Sequence, residues 1–305
     1  MPGAAPPPRV TVVVVAHDSG ADLARCAASV LAQSLPLELV VVDNASSDGS
    51  LRALPADSRL RLLLNPGNRG FGRACNQGAE LARGATLLFL NPDCVLPPGA
   101  LAALLARLER HPGLGILGAQ LLNADGSPQA ASRRADPTPA RTLRRLLSGA
   151  PATTEAWDGG VGHASAAPDD GAGPVEPTDA VSGALMLVPR HVFDALQGFD
   201  EGYVLHCEDL DLCRRARQAG HGVGLAPDVC VPHAKGGSSQ RRPVWVEWQK
   251  HRGMWRYFRR FDADATPLLL RPLLWLGLWA HFVLAAARAL WRARGHRAGP
   301  AAPLH

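Results

Sequence analysis

Residues 10–15 read Val-Thr-Val-Val-Val-Val, an almost unbroken β-branched run with no polar–apolar alternation. A strand with one wet face alternates, so this run belongs in a sheet covered on both sides, the habit of parallel sheets with crossover helices. The next segments of the chain keep to that plan. Leu23, Ala27, Val30 and Leu31 recur at helical spacing, and a second strand over 37–42 ends at Asp43. A strand over 60–64, a helix over 71–82, a strand over 86–90, a helix over 97–110 and a strand over 115–117 come after it. Strands alternating with helices predict an α/β fold whose central sheet is mostly parallel and flanked by helices.

In such sheets ligands bind at the carboxyl ends of the strands. Three of those ends are polar here: Asp43-Asn44-Ala45-Ser46-Ser47-Asp48-Gly49, Asn65-Pro66-Gly67-Asn68-Arg69-Gly70 and Asn91-Pro92-Asp93. Each alone is ordinary turn chemistry; the series points to a ligand site. The first strand ends in Ala16-His17-Asp18-Ser19-Gly20. A dinucleotide-binding fold needs G-x-G-x-x-G at that turn, so a nicotinamide enzyme is excluded, and the absence of G-x-x-x-x-G-K-[ST] excludes a P-loop NTPase.

Residues 133–173 are rich in Ala, Pro, Gly, Asp and Thr without hydrophobic period, which predicts a surface loop or insertion. A strand over 178–188 is broken at Ser182-Gly183-Ala184, where small residues admit a ligand or another backbone. Residues 205–220 place Glu208, Asp209 and Asp211 just ahead of an apolar and basic helical run. On a helix Asp209 and Asp211 diverge by about 200°, so they cannot share one task. Asp211 is expected to cap the helix or pair with Arg214 or Arg215. Short strands over 222–225 and 229–231 lead to His233 and to Lys235-Gly236-Gly237-Ser238.

Charge divides the chain. From residue 234 onward thirteen Lys and Arg face three acids, a local net of +10, so residues 1–233 carry −5 of the whole chain's +5. This predicts a catalytic body over 1–240 and a basic, aromatic tail over 241–305 that meets something anionic, such as a membrane surface. Residues 243–261 mix Trp248, Trp255, Tyr257 and Phe258 with Arg and Lys, as an interfacial helix does. Residues 268–291 are apolar but interrupted by Arg271, Pro272, His281 and Arg288. A spanning helix needs about 20 apolar residues, so a helix lying in the membrane plane is expected. The competing reading is a helix pair packed on the body or on a second subunit. Six cysteines without C-x-x-C spacing fit a reducing cytosol rather than a zinc site, and the N-terminus reads as a buried strand rather than a signal peptide.

Four motifs stand in order: VVDNASSDGS (41–50), NPGNRGFGRACNQGA (65–79), LFLNPDCVL (88–96) and CEDLDLCRRARQAG (207–220) followed by His233. Together they resemble the inverting family 2 glycosyltransferases of the GT-A fold, most closely the bacterial rhamnosyltransferase-like members that build cell-surface polysaccharides. The resemblance spans roughly residues 10–260. It implies that Asp43, Asn44 and Ser46, with Ala16 and Asp18 at the first strand end, bind the nucleotide base and ribose. Asn68, Gly70 and Asn76 would line the nucleotide pocket together with Asn91. The family's D-x-D metal motif falls on Asn91-Pro92-Asp93, with Asn in the first place, so Asp93 and His233 are the implied ligands of Mg²⁺ or Mn²⁺. Asp209 is the implied general base, Glu208 its helper, and Ser182, Gly183 and Ala184 face the acceptor.

The expected function is transfer of a sugar, L-rhamnose by this resemblance, from a dTDP- or UDP-type donor. The acceptor is a saccharide or lipid-linked saccharide at the inner face of the plasma membrane. A sugar nucleotidylyltransferase would need a Gly-rich, basic triphosphate loop after the first strand, which His17-Asp18-Ser19-Gly20 does not supply. A non-catalytic nucleotide-sugar scaffold is the second alternative, kept open by Asn91. A nucleic-acid partner would account for the basic tail but not for the polar strand ends.

Overall fold

The computed structural model describes residues 7–139, 141, 173–234 and 243–297. Strand β1 (Val10–Ala16) is buried along its length, and its side chains divide between two cores. Val10, Val12 and Val14 face one and Val13 and Val15 the other, as period-2 geometry requires of a doubly covered strand. β1 pairs in parallel with β2 (Leu37–Asp43) on one side and β4 (Thr86–Leu90) on the other, and β2 pairs in parallel with β3 (Leu60–Leu64). Helix α1 (Gly20–Leu31) follows β1, α2 (Phe71–Leu81) follows β3 and α3 (Ala100–Arg110) follows β4.

β5 (Leu114–Leu122) is longer than the sequence predicts, because its apolar register continues through Leu121. Two-residue strands β6 (Arg133–Arg134) and β8 (Ala180–Val181) pair with each other, with β7 (Glu176–Pro177) between them in sequence. β9 (Leu185–Pro189) runs antiparallel between β4 and β5, and the short helix α4 (Arg190–Ala195) follows. α5 (Glu208–Gln218) leads into β10 (Gly222–Pro232). The two strands expected over 222–225 and 229–231 are thus one, interrupted by a register shift between Ala226 and Cys230 where Pro227 cannot donate to the ladder. The main sheet has the order β3-β2-β1-β4-β9-β5-β10-β7. Because β9 is reversed, its first residue Leu185 lies beside Leu90, the last of β4. The segment 182–184 therefore emerges at the carboxyl ends of the parallel strands.

The sequence expectation for residues 133–173 falls largely outside the described residues, as does the Lys235–Ser238 loop; Arg133 and Arg134, however, are a strand rather than loop. Two helices complete the chain, α6 (Pro243–Phe261) and α7 (Leu270–Arg297). α6 packs into the body. Tyr257 is buried in the same core as α2 and α5, with its hydroxyl donating to Asp136 Oδ1 at 3.1 Å. Arg256 and Arg260 reach Asp200 at 2.9 and 2.6 Å, and Arg260 also meets Asp211 at 3.2 Å. Part of the positive charge expected to face an anionic surface is therefore matched within the fold.

α7 corrects the expectation of an apolar run too short to span. It continues through Arg271 and Pro272, since proline in a first helical turn removes no hydrogen bond. Over Leu270–Trp291 it has 22 residues of mean hydropathy 1.6, enough by length and composition to cross a membrane. Along one side it meets α6, where the Trp248 and Trp279 rings lie 4.7 Å apart at a tilt of 41° and His251 Nε2 lies 2.9 Å from His281 Nδ1. Leu269, Leu273, Leu276, Val283 and Leu284 remain exposed.

Candidate active site

The acids at the ends of β1 and β2 are both held by the turn that follows β2. Asp43 accepts the Ser46 hydroxyl at 2.5 Å and its amide at 3.1 Å, and Asp18 accepts the Ser47 amide at 2.7 Å. That amide, more than any other contact, holds the Asp18 carboxyl below the usual carboxylate range. Ser46 Oγ in turn accepts the Asp18 amide at 3.0 Å, so the ends of β1 and β2 are one hydrogen-bonded rim. Ala16 closes it by accepting the Asn44 amide at 2.8 Å.

Asn44 faces the other way. Its Nδ2 donates to Gly70 O at 3.2 Å and its Oδ1 accepts Asn65 Nδ2 at 3.0 Å, which ties β2 to the loop before α2. Asn68 accepts the Gly70 amide at 2.9 Å, and Gly70 has φ +84° at a place where a Cβ would lie 2.8 Å from Val204 O, so a side chain there would collide. Asn76 does not join this rim: its amide holds both the N–H and C=O of Phe199, each at 2.9 Å.

At the end of β4, Asp93 meets His233 from the end of β10. His233 Nε2 lies 3.2 Å from Asp93 Oδ1 and 3.5 Å from Asn91 Nδ2. Gln129 fixes the imidazole. Its Nε2 donates to the carbonyls of His233 and Leu122, so its Oε1, 3.0 Å from His233 Nδ1, must be the acceptor. Nδ1 therefore carries the proton and Nε2 presents a lone pair. Asp93 Oδ1 is buried and, among the described residues, receives no hydrogen bond. Two acceptors facing each other in a buried corner are matched by a cation between them, and Asp93, Cys94 and His233 have ligand atoms within 4.8 Å of one another. Of these, carboxylate and imidazole suit a hard or borderline divalent ion, while Cys94 is buried and its thiol is pushed well up by burial.

Asp209 lies in the first turn of α5. Its Oδ2 pairs with Arg134 and accepts the Gly183 amide at 2.9 Å, and its Oδ1 accepts the Leu210 amide at 2.8 Å. A methyl group on Gly183 would sit 3.2 Å from Asp209 Cβ and Oδ2, so glycine here permits the close approach. Ala184, the next residue, accepts the Asn91 amide at 2.9 Å, while Ser182 Oγ accepts the Ala184 amide at 3.3 Å. One three-residue segment thus touches both the Asp209 side and the Asn91-Pro92-Asp93 side of the site. Glu208 packs against α2: its Cβ would lie 3.8 Å from a methyl group on Gly72, and its charge acts on the buried Cys75 thiol. Burial first, and the charge of Asp209 second, push the Glu208 carboxyl up to about 8. Asp211 is fully buried, bonded to Arg215 and Tyr203. Arg134 and Gln129 are not visible from the sequence, because neither lies in a periodic segment or a recognisable motif.

A model of the family "Glycosyl transferase family 2" matches residues 11–162. The chain is 31% identical over 246 residues to an N-acetylglucosaminyl-diphospho-decaprenol L-rhamnosyltransferase of Mycobacterium tuberculosis, covering 76% of this chain and 78% of that protein. It is 27% identical over 201 residues to the low-salt glycan biosynthesis hexosyltransferase Agl10 of Haloferax volcanii, covering 64% and 58%. Its fold is like that of the mannosyltransferase PcManGT from Pyrobaculum calidifontis, solved with GDP-Man and Mn²⁺, with TM-score 0.56, 21% identity, and coverage of 99% and 80%. The molecule is an enzyme of the glycosyltransferase class with a GT-A fold. The chain belongs to glycosyl transferase family 2 and is rhamnosyltransferase-like within it, as its ordered motifs imply.

Proposed function

We propose that this enzyme transfers L-rhamnose from dTDP-rhamnose to a sugar carried on a lipid diphosphate, at the inner face of the plasma membrane. The observation that carries the reading is the bridge made by Gly183 and Ala184 between Asp209 and the Asn91-Pro92-Asp93 turn, which gathers a base and a diphosphate-end site at one sheet edge. The name of the mycobacterial relative supports the donor sugar and the lipid-linked acceptor.

In this reading Asp43 and Ser46 contact the base and ribose, with Ala16 and Asp18 beside them, and Asn44, Asn68 and Gly70 shape that pocket. Asp93 and His233 would hold a divalent cation, Mg²⁺ or Mn²⁺, which when bound would supply positive charge at the diphosphate end of the donor. The Mn²⁺ in the solved mannosyltransferase supports a cation in this fold. Asp209 takes the proton from the acceptor hydroxyl as that oxygen attacks the anomeric carbon and the bond to the diphosphate breaks. One displacement of this kind inverts the anomeric centre. Residues 182–184 flank the acceptor, the body takes in residues 1–240 with α6 docked on it, and α7 anchors the enzyme in the membrane.

The test is a panel of dTDP-rhamnose, UDP-sugars and GDP-mannose, given to the full-length protein with Mg²⁺ or Mn²⁺ and a lipid-diphosphate GlcNAc acceptor. Consumption of dTDP-rhamnose with transfer is expected, and Asp209→Asn should bind that donor yet transfer none. Turnover of a different donor overturns the rhamnose reading, and normal transfer by Asp209→Asn overturns the base.

A further inference from the structure

Glu208 and Asp209 are consecutive carboxyls, both under a tenth exposed, at the start of α5. Two buried neighbours of this kind do not both ionise without compensation; they share charge and titrate as a pair. The donors around them are unevenly divided. Asp209 receives the Arg134 guanidinium and two backbone amides, whereas Glu208 Oε2 is buried and, among the described residues, has no hydrogen-bond partner. We propose that Arg134 is the positioning residue that assigns the negative charge of this pair to Asp209 and the proton to Glu208. The inference rests on Asp209 being the base.

The other titratable or charged groups facing the pair do not alter the division. Cys75 comes from α2 and Cys213 from α5, and burial pushes both thiols upward, the latter to about 12. Arg217, also on α5, is bonded to Asp136 at 2.6 Å. The raised carboxyl of Glu208 agrees with the uneven donors. A carboxylate offers about four acceptor positions, and three on Asp209 are taken, all but one of them on Oδ2. Among the described residues Oδ1 has one bond, which leaves it a lone pair for an acceptor hydroxyl. Arg134 therefore orients the base without covering it, and it does so from β6, whose pairing with β8 lies directly before the 182–184 segment.

The experiment is the pH profile of kcat/KM for transfer in Arg134→Gln and Arg134→Lys. Removing an opposite charge in contact with a carboxylate raises its titration by roughly 1–3 units, so the acid limb of Arg134→Gln should move up by that amount while donor KM stays within twofold. Arg134→Lys should hold the limb near the wild-type position. In Arg134→Gln/Glu208→Gln the competing carboxyl is gone, and the limb should move back down. A limb that does not move, or a loss equal at every pH, overturns the assignment.

Should Arg134→Gln fail to fold, infrared spectroscopy of the intact protein decides. The band of a protonated buried carboxyl at pH 7 should be present in the wild type and in Arg134→Lys, which keeps the cation, and should vanish in Glu208→Gln. A band that survives in Glu208→Gln, or no such band in the wild type, overturns the inference. A dead Asp209→Asn with an unmoved Arg134→Gln limb sinks this inference alone; an active Asp209→Asn sinks the base assignment itself.

Discussion

Asp93 and His233 face each other by side chain and are joined by backbone. Asp93 Oδ1 stands 3.2 Å from His233 Nε2, Cys94 and His233 form an antiparallel bridge, and the Ala234 amide donates to Asp93 O at 3.1 Å. The ends of β4 and β10 are thereby pinned together, so the two proposed ligands are held before any cation arrives.

This pinning makes Gln129 a sensitive position. Gln129→Leu removes the acceptor that keeps the proton on Nδ1, and losing such an outer partner of a metal-bound histidine typically weakens affinity about 10–100-fold. The half-saturating Mn²⁺ concentration for transfer should rise accordingly, while His233→Ala should raise it further. Unchanged metal dependence in both variants would count against the site.

Gly183→Ala should damage chemistry more than folding. The added methyl group lies 3.2 Å from Asp209 Oδ2 and pushes the carboxylate from its position. Misplacement of a catalytic group by about 1 Å can cost about 10²-fold, so kcat should fall on that scale with a melting temperature close to wild type. Steady-state kinetics with thermal melts reads both.

Glu208 also leaves a mark on stability. Its folded-state titration near 8 lies above the ordinary glutamate value of 4.5, so between those values the native state binds the extra proton. The stabilisation is present in full below pH 4.5 and is lost as pH rises through 8. Urea midpoints should decline from about pH 5 to 8 in the wild type, and Glu208→Gln should flatten that decline.

Removing residues 268–305 should move the enzyme from the membrane fraction to the soluble one, because the exposed apolar surface of Leu269, Leu273, Leu276, Val283 and Leu284 goes with them. Fractionation of cells expressing the shortened protein checks this; continued sedimentation with membranes would place the anchor elsewhere.

The strands were legible in the sequence because a doubly buried sheet leaves long β-branched runs, and their polar ends stood out for the same reason. Asp93, Asp209 and His233 were singled out through the order of motifs, not through any one of them. Arg134 could not be found that way. A lone arginine in a segment without period is meaningful only once β6 has paired with β8 across the fold. Gln129 is hidden in the same manner, since its role depends on the distant carbonyl of His233. The length of α7 was missed because Pro272 was weighed as an interruption, whereas at the start of a helix it costs nothing.

The docking of α6 bears on where the working enzyme ends. His206 and Cys207, just before α5, both hold left-handed backbone, with φ +68° and +72°, and Gly253 of α6 lies so close that a methyl group on it would be 3.1 Å from His206 O. Such conformations persist only where surrounding contacts enforce them. A version of the protein cut at residue 240 would lose that pressure, strip Asp200 of Arg256 and Arg260, and leave Asp211 to Arg215 and Tyr203. A shortened enzyme meant to work in solution must therefore keep the chain through Asp262, whose carboxylate still grips Arg214 of α5 at 2.7 Å.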